Sequence, residues 1–457
     1  MNRFFLLVAA ALFVACGGNS NPEPNPPTDD AGTHQLDAGY QEPDASTPEP
    51  DAGNPEPDAG NPEPDAGNSE PDAGTPEPDA GNLEPDAGTP EPDAGTPDAG
   101  IPEPEPELTT ISPTDPRIQY TGRIDFSGSE PWFSQPGVSI KARFTGSTLN
   151  FLIRDFASSY LGSNHYNVTI DDGAPVRFEV RKGTTVYEVA SNLAPGEHTV
   201  VLTKRTESSV GSSRFLGFQI RGTLLDPPAR PTRRMEFIGD SMTCGYGNEV
   251  SVPEPPEGNP NTGFHSINEN HDKAFPTFTA RALGAEHQTV CYSGRGVYRN
   301  LDGTTQGTMP LIYDRIIPDQ PRPLWDLNRY VPDVVVINLG TNDLDYTKAP
   351  ADEAAFKAAY TDFVTRIRGT YPNARIVCVV GVMLNDWYPQ GAKAWTKAQA
   401  WVSAVVQDFN SRGDAQVYYL KIDPQDSPYG EDWHPTIATH QGMADKLTPF
   451  VRSITGW

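Results

Sequence analysis

Several kinds of chemistry are missing from this 457-residue chain. It has no HExxH zinc helix, no phosphate loop and no dinucleotide fingerprint, and His265 and His271 lack partners at ligand spacing. No metal and no cofactor is therefore expected. Basic residues are also scarce, with 34 Lys and Arg set against 61 Asp and Glu. No basic field invites nucleic acid, so no nucleic-acid partner is expected. The acidity is unevenly placed: residues 21 to 107 hold 24 carboxylates and no Lys or Arg, while residues 108 to 457 carry a net charge of only −4. The acidic excess belongs to one segment and says nothing about a substrate.

Residues 1–16 read as an export signal, with Arg3 followed by an apolar stretch from Phe4 to Val14 that is too short to span a bilayer permanently. Its end, Phe13-Val14-Ala15-Cys16, resembles the lipobox of bacterial lipoproteins. That resemblance implies a lipid on Cys16 and membrane attachment through it. Gly17 stands where an Asp signals inner-membrane retention, which implies the outer membrane or cell surface. The alternative is an ordinary secretory signal with an incidental Cys. Residues 17–108 are expected to be a disordered linker. A seven-residue repeat, DAGNPEP at Asp51 and Asp58 and DAGTPEP at Asp72 and Asp86, places Pro and Gly in every unit and almost nothing apolar. Extended by its prolines and by carboxylate repulsion, such a tether reaches at most ~270 Å at about 3.1 Å per residue. With Cys16 lipidated, Cys244, Cys291 and Cys378 remain, an odd number without a CxxC pair. Three buried thiols are expected, not a disulfide framework.

Residues 109–228 show short alternating runs: VSIKARF from Val138, TLNFLI from Thr148, YNVTI from Tyr166, VRFEV from Val176, HTVVLT from His198 and FLGFQI from Phe215. Gly, Asp and Pro turns separate them, and Asp171-Asp172-Gly173 is a hairpin signal. This predicts a jelly-roll-like β-sandwich serving as an accessory module. Its aromatics Trp132 and Tyr160 suit packing better than glycan binding.

From residue 229 to 457 the pattern changes to alternating strands and helices. Strands are expected at Met235–Ile238, His287–Tyr292, Asp333–Asn338, Ala374–Val382 and Gln416–Ile422, with helices at Ala274–Leu283, Met309–Ile317, Ala351–Thr370, Ala392–Phe409 and Thr436–Val451. The fold class that follows is α/β, a doubly wound parallel sheet with helices on both faces. Loops at the carboxyl ends of its strands share one rim. Four such loops stand out: GDS with Ser241 after the first strand, YSGRGVYRN with Gly294 and Gly296 after the second, NLGTND with Asn342 after the third, and GEDWHP with His434 after the fifth.

A GDS serine, a Gly loop, a GxND loop and a late His preceded by acids, in this order, resemble the SGNH, or GDSL-like, hydrolase superfamily. The strings FIGDSMTCGYGNE, WDLNRYVPDVVVINLGTND and DWHPTIATHQ, behind a β-sandwich, look more narrowly like carbohydrate esterase family two. The resemblance covers about residues 117 to 457. It implies an SGNH-type sheet and deacetylation of acetylated plant polysaccharide such as xylan or mannan, through an acyl-serine.

The residues themselves suit that chemistry. A serine hydroxyl needs a base within hydrogen-bond reach, and of eight histidines only His434 sits in a rim loop beside carboxylates. His440 more naturally packs or caps. Matching the family's oxyanion hole are the backbone N–H groups of Ser241 and Gly294 and the side-chain amide of Asn342. Gly296 is an alternative donor to Gly294, and Asn342 has the alternative of closing an Asx turn. For the residue that orients His434 the expectation is Asp432, with Glu431, or a backbone carbonyl, as the alternatives. Trp387, after the fourth strand, is the candidate for stacking on a sugar, although an aromatic there also serves to close the sheet edge. The Pro-rich loop from Ser251 to Asn261 is placed to wall the cleft. Two rivals stay open: an esterase of the same superfamily acting on lipid or acetylated peptidoglycan, and a glycan binder without activity.

Overall fold

Period-two alternation folds into strands as the sequence pattern requires. The computed structural model describes residues 106–158, 160–345 and 350–457. The expected signal segment, Cys16 and nearly all of the expected linker lie outside the described residues. Nine strands form the first lobe: β1 (Leu108–Ile111), β2 (Gln119–Thr121), β3 (Trp132–Phe133), β4 (Ser139–Ala157), β5 (Asn164–Ile170), β6 (Val176–Val180), β7 (Val186–Ala190), β8 (Glu197–Lys204) and β9 (Gly211–Leu225). All pair antiparallel, in the order β1-β9-β4-β8-β5-β6, with β2 and β7 added to β4 and β3 to β9. In β8 every second residue, His198, Val200, Leu202 and Lys204, is buried. Alternation of this kind puts Phe144, Phe151, Phe215 and Phe218 into one core. The long pair β4 and β9 shifts register near Gly146 and Gly222. There a Cβ on Gly146 would lie 1.9 Å from the Arg221 carbonyl oxygen, and one on Gly222 1.8 Å from that of Thr145, so only glycine fits either position. Tyr160 is 83% exposed and packs into no core.

The second lobe alternates β10 (Arg234–Gly239), α1 (Ser241–Cys244), α2 (Phe275–Ala282), β11 (Glu286–Cys291), α3 (Met309–Ile312), β12 (Val334–Asn338), α4 (Glu353–Thr370), β13 (Arg375–Val379), α5 (Ala394–Ser411), β14 (Val417–Leu420) and α6 (Ile437–Thr455). Its sheet is wholly parallel, in the order β11-β10-β12-β13-β14. The strands are apolar throughout because both faces are covered. Ile238, Val335, Ile337 and Ile376 face α4 and α5, whereas Phe237, Val336, Val377 and Val379 face Phe275 of α2 and Met443 and Leu447 of α6. The helix expected over Met309–Ile317 stops after Ile312, where a bridge between Arg315 and Leu324 turns the chain into a loop.

The two lobes are joined by a buried ion pair. Arg123, between β2 and β3, reaches Glu236 in β10 at 2.9 Å, with both side chains fully buried. Tyr313 and Gln288 also donate to that carboxylate, at 2.6 and 2.7 Å, and the Arg123 guanidinium bonds the Tyr313 carbonyl. A buried charge pair is tolerable when its remaining lone pairs are met in this way. The sandwich is thus fixed against the sheet that carries the rim.

Candidate active site

Ser241 stands at the first position of α1, directly after β10. Asp240 caps that helix by accepting the Met242 N–H at 3.2 Å. The turn before it is tight: a Cβ on Gly239 would come within 2.1 Å of Thr243 Oγ1 and 2.8 Å of the Asn338 carbonyl oxygen. Glycine there lets the strand meet the helix closely and presents the serine at the rim.

His434 arrives from the other end of the lobe on a 3-10 turn, Glu431–Trp433, in which Asp432 and Trp433 both have positive φ, 49° and 59°. Two consecutive side-chain-bearing residues in the left-handed region are a local cost that the surrounding bonds hold in place. The Asp432 N–H donates to the Pro260 carbonyl at 2.7 Å, which sets the Pro-rich loop beside the histidine. The outcome is a contact: His434 Nε2 lies 2.7 Å from Ser241 Oγ. Its Nδ1 lies 2.9 Å from the backbone carbonyl of Glu431, so Nδ1 carries the proton and Nε2 is left to accept the serine's. Burial drives the imidazole's pKa down to about 4, so it is a free base at neutral pH.

The expected orienting acid does not hold the imidazole. The left-handed turn carries the Asp432 carboxylate away to the Tyr246 hydroxyl, at 2.6 Å, and the Gly263 N–H, at 2.9 Å. The Glu431 carboxylate is equally occupied, by the His265 N–H at 2.9 Å, the His265 ring at 2.7 Å and Asn268 Nδ2 at 2.7 Å. Of the three options, the backbone carbonyl is the group in contact. Tyr246 enters instead as a residue the sequence did not single out, its ring stacked on His434 with centroids 4.0 Å apart.

In the loop after β11, Gly294 has a φ of 77°, and among the described residues neither its N–H nor that of Ser241 has a protein acceptor. Gly296 is occupied: its N–H donates to Asn300 Oδ1 at 3.3 Å, and a Cβ there would meet the Asp343 carboxylate. Asp343 holds this loop by accepting the N–H groups of Val297, Tyr298 and Arg299 at 2.9, 2.8 and 2.8 Å. Asn342 is tied between the residues next to both backbone donors, its Nδ2 donating to the Arg295 carbonyl at 2.9 Å and lying 3.4 Å from Asp240 Oδ2.

The cysteines differ from expectation. Cys244 and Cys291 form a disulfide with Cα atoms 5.6 Å apart, and among the described residues only Cys378 is a buried thiol. Parallel pairing sets Gly239 opposite Cys291, and the one-turn helix α1 returns Cys244 to that strand end. The bridge therefore joins the serine's helix to the Gly loop. Among the remaining candidates, His440 Nδ1 accepts the N–H of Phe275 at the start of α2. Trp387 is 59% exposed on the loop after β13, and its neighbour Tyr388 lines a cavity of about 270 Å³ with Leu344, Met383 and Asn385. No bond joins Trp387 to Ser241 or His434.

Comparison with known proteins agrees with this architecture. Residues 120–228 match the model of the carbohydrate esterase 2 N-terminal domain, and residues 237–441 that of the GDSL-like lipase/acylhydrolase family. An acetylxylan esterase / glucomannan deacetylase of Cellvibrio japonicus is 30% identical over 354 residues, which cover 76% of this chain and 92% of that protein. The chain belongs to carbohydrate esterase family 2. Within the family, a cellulase/esterase, CelE, of Acetivibrio thermocellus is 38% identical over 349 residues, 75% of this chain, although the chain spans only 40% of that relative's length. A family two carbohydrate esterase from Clostridium thermocellum, solved in complex with cellohexaose, is 38% identical, with a TM-score of 0.67 over 74% of this chain and 99% of that one.

Proposed function

We propose that this family 2 esterase removes O-acetyl groups from plant polysaccharide through an acyl-serine intermediate. The observation that carries the reading is the 2.7 Å contact between Ser241 Oγ and a neutral His434 whose other nitrogen is held by a carbonyl. His434 takes the hydroxyl proton as Ser241 attacks the acetyl carbonyl. The oxygen that gains charge is met by the N–H groups of Ser241 and Gly294, with Asn342 turning from Asp240 to join them, and such donors contribute a few kcal/mol each. Collapse expels the sugar alkoxide, which receives the proton from His434. Water, deprotonated by the same base, then attacks the acyl carbon, and cleavage of the acyl–Oγ bond releases acetate while Ser241 Oγ takes the proton back from His434. Acetylated xylan and glucomannan are the substrate class, in keeping with the name of the Cellvibrio japonicus relative. Trp387, exposed on the rim, serves as a sugar-stacking surface.

We further propose that the mature chain is exported, lipidated at Cys16 and tethered to the outer membrane or cell surface. The test of the activity is hydrolysis of p-nitrophenyl acetate by wild type and Ser241→Ala, followed by acetate release from acetylated xylan, glucomannan and peptidoglycan set against fatty-acid release from a lysolipid. An inactive wild type or a fully active Ser241→Ala would refute the mechanism, and preference for lysolipid or peptidoglycan would reassign the substrate. Replacing Cys16 with Ala is expected to shift the protein from the membrane fraction to the soluble one.

A further inference from the structure

In this sheet β11 is an edge strand, paired among the described residues only with β10. Successive N–H groups along a strand point to opposite sides. That of Tyr292 turns inward to the Gly239 carbonyl at 3.2 Å, so those of Cys291 and Ser293 face the open edge. Unpaired edge amides need acceptors once they are buried. Here both acceptors come from the sandwich. Gln135 Oε1 takes the Cys291 N–H at 3.2 Å, and Glu207 Oε2 takes the Ser293 N–H at 2.8 Å. The residue after Ser293 is Gly294, whose own N–H has no acceptor among the described residues.

Glu207 is built in, not an incidental neighbour. It lies in the loop between β8 and β9 and is only 1% exposed, so no bulk water stands ready to replace its carboxylate. Its backbone N–H donates to Glu269 Oε2 at 2.9 Å, a buried carboxylate of the other lobe. Its carbonyl accepts from the buried ammonium of Lys204 at 3.2 Å, which also holds the Thr206 carbonyl at 2.5 Å. The adjoining Arg205 pairs with Glu249 and bonds the Glu269 carbonyl at 3.3 Å. Burial raises the carboxyls of both Glu207 and Glu269, a cost accepted for placing two acids at this junction. The loop from Lys204 to Ser208 is clamped from both lobes, and its one carboxylate directed at the Gly loop ends on the amide that precedes the oxyanion donor.

We propose that Glu207 is a positioning residue for the oxyanion hole, so that the β-sandwich is a structural part of the catalytic centre instead of an appended module. The proposal rests on the esterase reading above. Glu207 touches no substrate. It fixes the Ser293–Gly294 peptide so that the Gly294 N–H meets the charge that develops on the acetyl oxygen. Such positioning acts on the transition state more than on the ground state, so its loss falls on kcat with KM little changed.

The test compares Glu207→Ala, Glu207→Gln and Ser134→Ala in the full-length protein, with p-nitrophenyl acetate as substrate and phenylboronic acid as a probe that places an anionic adduct on Ser241. Ser134 bonds Ser208 and the Ile316 carbonyl at the same lobe junction and, among the described residues, makes no bond to Ser293 or Gly294. The expected result for Glu207→Ala is a tenfold or greater fall in kcat, KM within twofold, and a matching loss of boronate affinity. Glu207→Gln, which keeps an oxygen acceptor, is expected within threefold of wild type. Ser134→Ala is expected to lower the melting temperature without changing kcat. If Glu207→Ala does not fold, Glu207→Asp, one methylene too short to reach Ser293, takes its place with the same expectation. Undiminished kcat in the Ala or Asp variant, or a Gln variant as impaired as the Ala one, overturns the proposal while leaving the esterase reading intact. An inactive wild type overturns both.

Discussion

Tyr246 lies over His434 with ring centroids 4.0 Å apart and planes inclined by 23°, and its hydroxyl donates to Asp432 at 2.6 Å. The acid two residues before the histidine is therefore linked to it through an aromatic ring, not by a direct bond. Where a carboxylate directly orients a catalytic imidazole, replacing it with the amide costs about 10⁴ in kcat. Here Asp432→Asn is expected to stay within about threefold of wild type. Asn accepts the left-handed conformation and still offers an oxygen to Tyr246. Steady-state kinetics of the purified variant decide the matter, and a loss beyond a hundredfold would restore Asp432 as the third member of a triad. Tyr246→Leu, which removes the stacked ring, is expected to cost more than Asp432→Asn.

The reason this was hidden in the sequence is specific. Alternating β and α segments bring the GDS, Gly, GxND and late-His loops to one rim whatever their side-chain details, so Ser241 and His434 could be singled out from topology and chemistry, whereas the roles of Gly294 and Asn342 were implied by the family resemblance. The direction of Asp432 depends on a positive φ at a residue that is not glycine, held by Pro260 and Gly263 some 170 positions earlier, and no local pattern announces that. The disulfide was concealed for a related reason. Cys244 and Cys291 meet only because the second strand lies directly beside the first, and strand order is not readable from alternation. Glu207 sits in what reads as a separate domain, where nothing in the β pattern points across the lobe boundary.

The pH dependence follows from the buried histidine. A general base must be unprotonated, and burial lowers the His434 pKa from 6.5 to about 4. The base form is thus fully populated above pH 6.5 and is lost only as pH falls through the lowered value. The kcat/KM profile, which reports free-enzyme ionisations, is expected to stay level as pH drops from 7.5 to 5.5 and to fall on approach to about 4. An acid limb centred at or above 6.5 would show that solvent reaches the imidazole freely.

The Cys244–Cys291 bridge closes a sequence separation of 47 residues, which in the chain-entropy account corresponds to roughly 4 kcal/mol of stabilisation. Replacing both cysteines with Ser, or unfolding in the presence of dithiothreitol, is expected to lower the urea midpoint accordingly. Because the bridge also joins α1 to the Gly loop, kcat at moderate temperature is expected to fall along with stability. A variant that is less stable but fully active would confine the bridge to a stabilising role.

The junction between the lobes offers a test that separates pairing from packing. Arg123 and Glu236 are both fully buried, and Glu236 keeps Tyr313 and Gln288 as donors if the arginine is lost. Arg123 has no second carboxylate to turn to among the described residues. Removing Glu236 therefore strands a cation, which costs about 3–5 kcal/mol, whereas removing Arg123 leaves an anion still held by two donors. Urea unfolding is expected to rank Glu236→Gln as more destabilising than Arg123→Met. The double variant should recover much of the loss, because a buried pair exchanged for neutral groups of similar volume is close to neutral overall. Additive losses in the double variant would mean that the two side chains act independently. In that case Tyr313, which stacks under the guanidinium with its centre 4.5 Å away, would be what ties Arg123 to the sheet lobe.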